Sequence, residues 1–215
     1  MEPIVAGEII TLVGLGPGGE DFITPIARRV VAEAEVLVGG KRLLDLFPAF
    51  TGDTKVIDRD LEGLLGFLRK QEGKRIAVLC SGDPGFFGIL NWLRRNFAPE
   101  RLRVIPGVSS VQLAFARAVL PWAGAGFFTI HGRETDGLVE AARDAPVLAV
   151  LGDPRVSAGQ LAAILLDGGL EGEATVAWEL AGPEEEVRRG TLKSAAGWER
   201  GGNYVFIFEK EGEEA

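Results

Sequence analysis

Ile9-Ile10-Thr11-Leu12-Val13 runs straight into Gly14-Leu15-Gly16-Pro17-Gly18-Gly19, an apolar stretch that stops on a turn made almost wholly of glycine and proline. Such a run reads as a buried strand ending in a tight turn. The pattern recurs twice. Ile76 to Cys80 leads into Ser81-Gly82-Asp83-Pro84-Gly85, and Leu102 to Ile105 leads into Pro106-Gly107-Val108-Ser109-Ser110. In an open α/β sheet, ligands settle beyond the carboxyl ends of strands, and glycine there lets backbone groups approach a ligand closely. Three such turns in one half of the chain predict one composite ligand site.

Working outward, strand and helix signals alternate. Glu8 to Val13 reads as strand and Thr24 to Ala34 as helix, with Thr24 as N-cap and Pro25 as first helical residue. Glu35 to Val38 reads as strand, Arg42 to Phe47 as a short helix and Thr54 to Asp58 as a short strand. Leu61 to Gln71 is a helix whose Leu64, Leu65 and Leu68 form one apolar stripe. The strand Arg75 to Cys80, the helix Gly88 to Asn96, the strand Arg103 to Ile105 and the helix Ser110 to Ala118 follow. This alternation predicts an α/β fold with a largely parallel sheet covered on both faces. Pro121, Gly124 and Gly126 interrupt the pattern, so a first domain over 1–120 and a second, smaller α/β domain over 121–215 are expected. The second has strands at Phe127 to His131, Val147 to Leu151, Ala174 to Leu180 and Tyr204 to Glu209, and helices near Glu134 to Arg143 and Val156 to Leu166. The charged stretch Glu184 to Arg189 reads as a connection. The four tryptophans are scattered and read mostly as core. Gly-Asp-Pro occurs at 82–84 and again at 152–154, each time after an apolar strand.

Composition narrows the function. The formal charge of −8 and a pI near 4.9 count against non-specific nucleic-acid binding, which needs a basic face. Cys80 is the only cysteine, so there is neither an intramolecular disulfide nor a thiolate metal cluster, and a reducing cytoplasm is expected. Met1 to Gly7 lacks a signal-peptide pattern, and no apolar run reaches the roughly 20 residues of a membrane span.

Each motif has an ordinary reading to set beside a functional one. Gly14, Gly16 and Gly19 satisfy G-x-G-x-x-G, but that motif should open directly into its helix, and here the helix starts only at Pro25. The acidic residue expected after the second strand is also missing. Asp83 reads as a turn residue that helps a ligand-contacting backbone, and no His or second carboxylate lies at metal-ligand spacing. Ser109 and Ser110 stand where a helix begins, so capping and ligand contact are both open to them. The Gly-x-Ser-x-Gly elbow of serine hydrolases is lacking. Cys80 reads as a buried small hydrophobe. His131, followed by Gly132 and Arg133, ends a strand at the opening of the second domain. A structural histidine with a solvated arginine, and a substrate contact, are both open there.

Taken together in this order and spacing, the three turns resemble the tetrapyrrole (corrin/porphyrin) methylase family. Within it, Val104 to Ala114, Leu120-Pro121-Trp122 and His131-Gly132-Arg133 are similar to members that methylate C5 of a corrin precursor in cobalamin biosynthesis. The resemblance implies two α/β domains with S-adenosyl-L-methionine in the inter-domain cleft. Pro17, Ser81, Gly82, Asp83, Phe86, Ser109 and Ser110 would line the cofactor site, and Leu151 would add an apolar contact. His131 and Arg133 would meet the tetrapyrrole, whose carboxylates need cations, with Arg155, Lys41 and Arg42 as further candidates. The donor is an activated sulfonium and a meso carbon of the ring is the nucleophile, so no catalytic residue and no metal is assigned. Relatives carry a Glu-Asn-Leu-Gly-like turn where this chain has Trp178-Glu179-Leu180-Ala181-Gly182, and no cofactor contact is assigned there. A homodimer is implied, and a separate protein for C15 methylation and decarboxylation, because that step needs a further domain that 215 residues do not hold. The competing expectations are a relative acting at another ring position, on RNA or on the modified histidine of an elongation factor; a non-catalytic tetrapyrrole or nucleotide-binding module; and a nicotinamide oxidoreductase.

Overall fold

The computed structural model describes residues 9–131 and 135–212. It divides into two compact units, one running to Ser109 and the other starting at Ser110. In the first unit, β1 (Ile10–Gly14), β2 (Val36–Gly39), β3 (Asp53–Val56), β4 (Ile76–Cys80) and β5 (Leu102–Ile105) form a five-stranded sheet in the order β3-β2-β4-β1-β5. All its pairings are parallel, with Ile10 level with both Ile76 and Leu102. Alternate residues serve opposite faces. Ile10, Leu12, Val36, Val38, Ile76 and Val78 pack with Leu64, Leu65 and Leu68 of α3 (Leu61–Lys70) and Leu93 of α4 (Leu90–Asn96). Val13, Leu37, Ala77 and Leu79 pack with Ala27 and Val31 of α1 (Pro25–Glu33) and, more loosely, with α2 (Lys41–Leu44). A strand buried on both faces must be apolar throughout, which is why these strands read as unbroken runs. The expected cap is present: the Ala27 N–H donates to Thr24 Oγ1 at 3.2 Å.

In the second unit, β6 (Gly126–Thr129), β7 (Val147–Leu151), β8 (Gly172–Trp178), β9 (Glu186–Thr191) and β10 (Tyr204–Lys210) take the order β6-β7-β10-β8-β9. Only β6 and β7 run parallel. One face carries Val150, Val176, Trp178, Phe206 and Phe208, covered by α6 (Leu138–Asp144), α7 (Ala158–Asp167) and α8 (Leu192–Ala195). The alternate residues Ala177, Val205 and Ile207 are buried too, and α5 (Ser110–Ala118) packs against β8 and β10.

Three sequence expectations change. The helix starting at Ser110 groups with the second sheet, so the division falls at Ser109/Ser110 and not near residue 120. Its buried Val111, Leu113, Ala114 and Phe115 are the cause. The charged stretch after Gly182 contains a strand, β9, which lies at the sheet edge where polar side chains meet water. Trp122 is 49% exposed in the α5–β6 connection, whereas Trp178 is fully buried.

Candidate functional site

The three glycine-rich turns meet backbone to backbone within the first unit. Beyond the parallel strands, the Leu15 N–H donates to the Cys80 carbonyl (3.0 Å) and the Gly82 N–H to the Gly16 carbonyl (2.7 Å). Gly16 and Gly82 form an antiparallel bridge, with φ of 83° and 66°, the left-handed region that glycine enters without strain. The third turn joins through Asp83: its Oδ1 accepts the Gly85 N–H (2.8 Å) and its Oδ2 the Gly107 N–H (3.2 Å). A Cβ on Gly14 would lie 2.5 Å from Gly107 N and 2.7 Å from the Gly82 oxygen. One on Gly107 would lie 2.7 Å from the Gly14 carbonyl carbon. The glycines are therefore set by mutual approach of the chain, and Asp83 staples the second turn to the third.

Around this junction Pro17 is half-buried, Ser81 is exposed and Ser109 is buried. Phe86 is half-buried, its ring edge-on to Phe87 with centroids 4.7 Å apart. Phe87 has φ 52°, unusual for an aromatic residue and not legible without a glycine to mark it. Cys80 is the buried hydrophobe expected. Its thiol donates to the Val78 carbonyl, and burial first, then the Asp83 charge, push its pKa up to about 12. Gly19 leads into a 3-10 turn, Glu20–Phe22, and the N-terminus of α1 is capped by Thr24. A phosphate cradle opening into a helix is thus not built here.

Ser110, His131 and Leu151 belong to the second unit. Thr129 is level with Leu151 in the parallel β6–β7 pair, and the Ile130 N–H donates to the Leu151 carbonyl (3.1 Å). His131 is exposed at that carboxyl edge, its N–H donating to Thr129 Oγ1 (3.2 Å). Leu151 is half-buried, and Arg133 lies outside the described residues. The second Gly-Asp-Pro turn repeats the backbone bond of the first: the Arg155 N–H donates to Asp153 Oδ1 (3.0 Å). The Gly152 N–H donates to the Tyr204 carbonyl, and a Cβ on Gly152 would lie 2.5 Å from the Tyr204 ring. The phenol donates to the Val156 carbonyl (2.7 Å), and burial with the nearby Asp153 charge raises its pKa. On the same edge the turn after β8 holds Glu179 and Ala181 at φ 42° and 62°, with Glu179 Oε1 accepting the Asn203 N–H (2.8 Å). Of the other candidate cations, Lys41 pairs with Asp45 at the surface. Among the described residues no group of three His, Cys, Asp or Glu side chains could hold a metal ion.

The first unit thus carries a parallel sheet with three converging glycine turns and the second a mixed sheet. The tetrapyrrole (corrin/porphyrin) methylases match residues 10–196, and the chain belongs to that family. Over 125 residues it is 40% identical to the cobalt-precorrin-7 C(5)-methyltransferase of Salmonella typhimurium, covering 58% of this chain and 62% of that one. Over 190 residues it is 32% identical to the decarboxylating precorrin-6Y C(5,15)-methyltransferase of a Sinorhizobium species, covering 86% of this chain and 46% of that one. The match therefore spans less than two thirds of the length of these relatives. Among solved structures, uroporphyrin-III C-methyl transferase from Thermus thermophilus, complexed with S-adenyl homocysteine, aligns with a TM-score of 0.72 and 26% identity, over 94% of this chain and 92% of that one.

Proposed function

We propose that this protein transfers a methyl group from S-adenosyl-L-methionine to C5 of cobalt-precorrin-7, or of the equivalent precorrin, in cobalamin biosynthesis. The observation that carries the reading is the junction of Gly14, Gly82 and Gly107, where a Cβ on Gly14 or Gly107 would meet the Gly82 oxygen at 2.7 Å or less. The first turn leads into a 3-10 turn and not into a helix N-terminus, the element on which a pyrophosphate sits. Pro17, Ser81, Gly82, Asp83, Phe86 and Ser109 of the first unit, with Ser110 and Leu151 of the second, are the proposed cofactor contacts. His131 and Arg133 are proposed to meet the tetrapyrrole.

When bound, the cofactor supplies a methyl group already activated on a sulfonium. The chain's own task is to hold donor and acceptor in line, an effect worth roughly 7–11 kcal/mol when the geometry is good. Its glycine-rich turns, close-packed and joined by the Asp83 staple, provide rigidity for that task. The relative named for C5 methylation alone supports the choice of carbon. We further propose that C15 methylation and decarboxylation belong to a separate protein, in keeping with the relative named for C5 methylation alone. A cytoplasmic homodimer is the proposed working form; no described helix is long and apolar enough to cross a membrane, and light scattering would measure the assembly.

The test is calorimetric titration with S-adenosylhomocysteine, followed by turnover of cobalt-precorrin-7. Saturable binding near one site per chain and a product with one added methyl at C5 are expected. No binding would remove the methyltransferase reading, and a methyl at another carbon would reassign the ring position.

A further inference from the structure

The second Gly-Asp-Pro turn does something the first does not. Asp153 is 4% exposed, and its Oδ1 accepts both the Arg155 backbone N–H (3.0 Å) and Arg155 Nε–H (2.7 Å), while Oδ2 accepts Nη2–H (3.0 Å). The guanidinium is thereby gripped by two parallel bonds to a buried carboxylate of its own turn. The Arg155 side chain is still 73% exposed. Asp83 closes the equivalent turn with one bond to the Gly85 N–H, so closing the turn does not require a fork. The extra contacts in the second unit fix the arginine.

We infer that Arg155 is a carboxylate-binding residue for the tetrapyrrole, presented ready-oriented by Asp153; the inference rests on the methyltransferase reading above. Position supports it. The turn follows β7 at the carboxyl edge of the parallel β6–β7 pair, the edge at which His131 is exposed, and such edges are where ligands bind in α/β sheets. Other arginines of this unit pair with strand carboxylates along the sheet: Arg188 and Arg200 with Glu186 of β9, and Arg189 with Glu209 of β10. Chemistry supports it too. Tetrapyrrole precursors carry acetate and propionate side chains, and a planar guanidinium matches a carboxylate in a way an ammonium does not. A free surface arginine would lose rotamer entropy on engaging an anion; one already held by Asp153 loses little. The carboxylate of the pair is buried and the Arg155 side chain is largely exposed.

The experiment is steady-state kinetics with cobalt-precorrin-7 on wild type, Arg155→Ala and Arg155→Lys. S-adenosylhomocysteine affinity and melting temperature are measured on the same preparations. Arg155→Ala should raise the tetrapyrrole KM about tenfold, with kcat and S-adenosylhomocysteine affinity unchanged, and should lower the melting temperature, because the buried Asp153 carboxylate loses its partner. Arg155→Lys should recover part of the loss, and added salt should narrow the gap between wild type and Arg155→Ala. An unchanged KM in Arg155→Ala overturns the inference while leaving the methyltransferase reading intact. A KM rise accompanied by weaker S-adenosylhomocysteine binding and a lower kcat overturns it in favour of a purely structural turn. A wild-type protein that neither binds S-adenosylhomocysteine nor turns over overturns both.

Discussion

Replacing Gly14 by alanine tests the junction directly. The added Cβ would sit 2.5 Å from Gly107 N, 2.7 Å from the Gly82 oxygen and 2.8 Å from Gly107 Cα. All three are backbone atoms of neighbouring turns, so no side chain can swing aside. Ordinary non-bonded separations are about 3.5 Å or more, and the turns must open by roughly 1 Å. That displacement strains the 2.7 Å bond from Gly82 to Gly16 and the 3.2 Å bond from Gly107 to Asp83. Overpacking of this kind costs about 1–3 kcal/mol, and loss of one of these hydrogen bonds adds about 1 kcal/mol. Against this stands about 0.4–1 kcal/mol gained because alanine restricts the unfolded chain, since Gly14 is not among the residues with positive φ. A net loss of about 2 kcal/mol follows. With a urea slope of about 2 kcal/mol/M, the midpoint followed by far-UV circular dichroism should fall by roughly 1 M. The matched control is Gly66→Ala in α3, where a Cβ meets nothing within 4 Å; there the same substitution should stabilise by about 0.5–1 kcal/mol. S-adenosylhomocysteine affinity should drop in Gly14→Ala and hold in Gly66→Ala. A Gly14→Ala midpoint equal to or above wild type would refute the close-approach reasoning.

Val119→Gly should stabilise the protein by about 1 kcal/mol in the same urea assay, because Val119 is 88% exposed at φ 56°. It occupies the position after α5 that usually takes glycine, with the Leu120 N–H closing onto the Phe115 carbonyl at 3.0 Å. The Cys80 thiol, raised to about 12 by burial and by Asp83, should resist alkylation by iodoacetamide at pH 8 in the native protein and react once urea unfolds it. Arg117 donates to Glu185 at 2.5 Å and holds its carboxyl below the usual 4.5, burial opposing and the Ala181 N–H assisting. A depressed carboxylate contributes stability that is present above its unfolded pKa and lost as pH falls through its folded one. The stability gap between wild type and Arg117→Gln, under about 1 kcal/mol for so exposed a pair, should therefore be full at pH 7 and shrink as pH drops below 4.5; a gap independent of pH would refute the pairing.

The parallel sheet was legible because strands buried on both faces must be apolar throughout, and because their ends fall on glycine. Leu12, Val38 and Val78 advertise their burial; Gly14, Gly82 and Gly107 advertise close approach. The edge strand β9 was hidden, since Glu186 and Arg188 pair with each other and Arg189 with Glu209, which leaves no apolar alternation to read. The allegiance of α5 was hidden for a different reason. An amphipathic helix announces that it covers a sheet, but Val111, Leu113, Ala114 and Phe115 would suit either sheet, and only the three-dimensional packing on β8 and β10 decides. Strain was hidden as well: Phe87, Val119, Glu179 and Ala181 enter the left-handed region with no glycine to mark it. At the candidate site the turns could be located from sequence, whereas the partner of each aspartate could not, because hydrogen-bond partners far apart in sequence leave no local trace.

The two Gly-Asp-Pro turns make that last point physical. In both, the aspartate accepts the N–H two residues on, a local bond that any Gly-Asp-Pro sequence can form, and so the repeated tripeptide encodes a turn geometry and not a common ligand. What differs is the residue whose N–H is taken. At Gly85 there is no side chain to compete, and the second oxygen of Asp83 reaches Gly107 in another turn, 24 residues on. At Arg155 the guanidinium takes the second oxygen of Asp153. One position therefore converts the same backbone device from a staple that binds turns together into a mount that displays a cation. The first use ties two glycine-rich turns together, and the second orients an exposed guanidinium at the edge of the other sheet. On the proposed function, the first would serve the methyl donor, which carries its own activation, and the second an acceptor bearing several carboxylates.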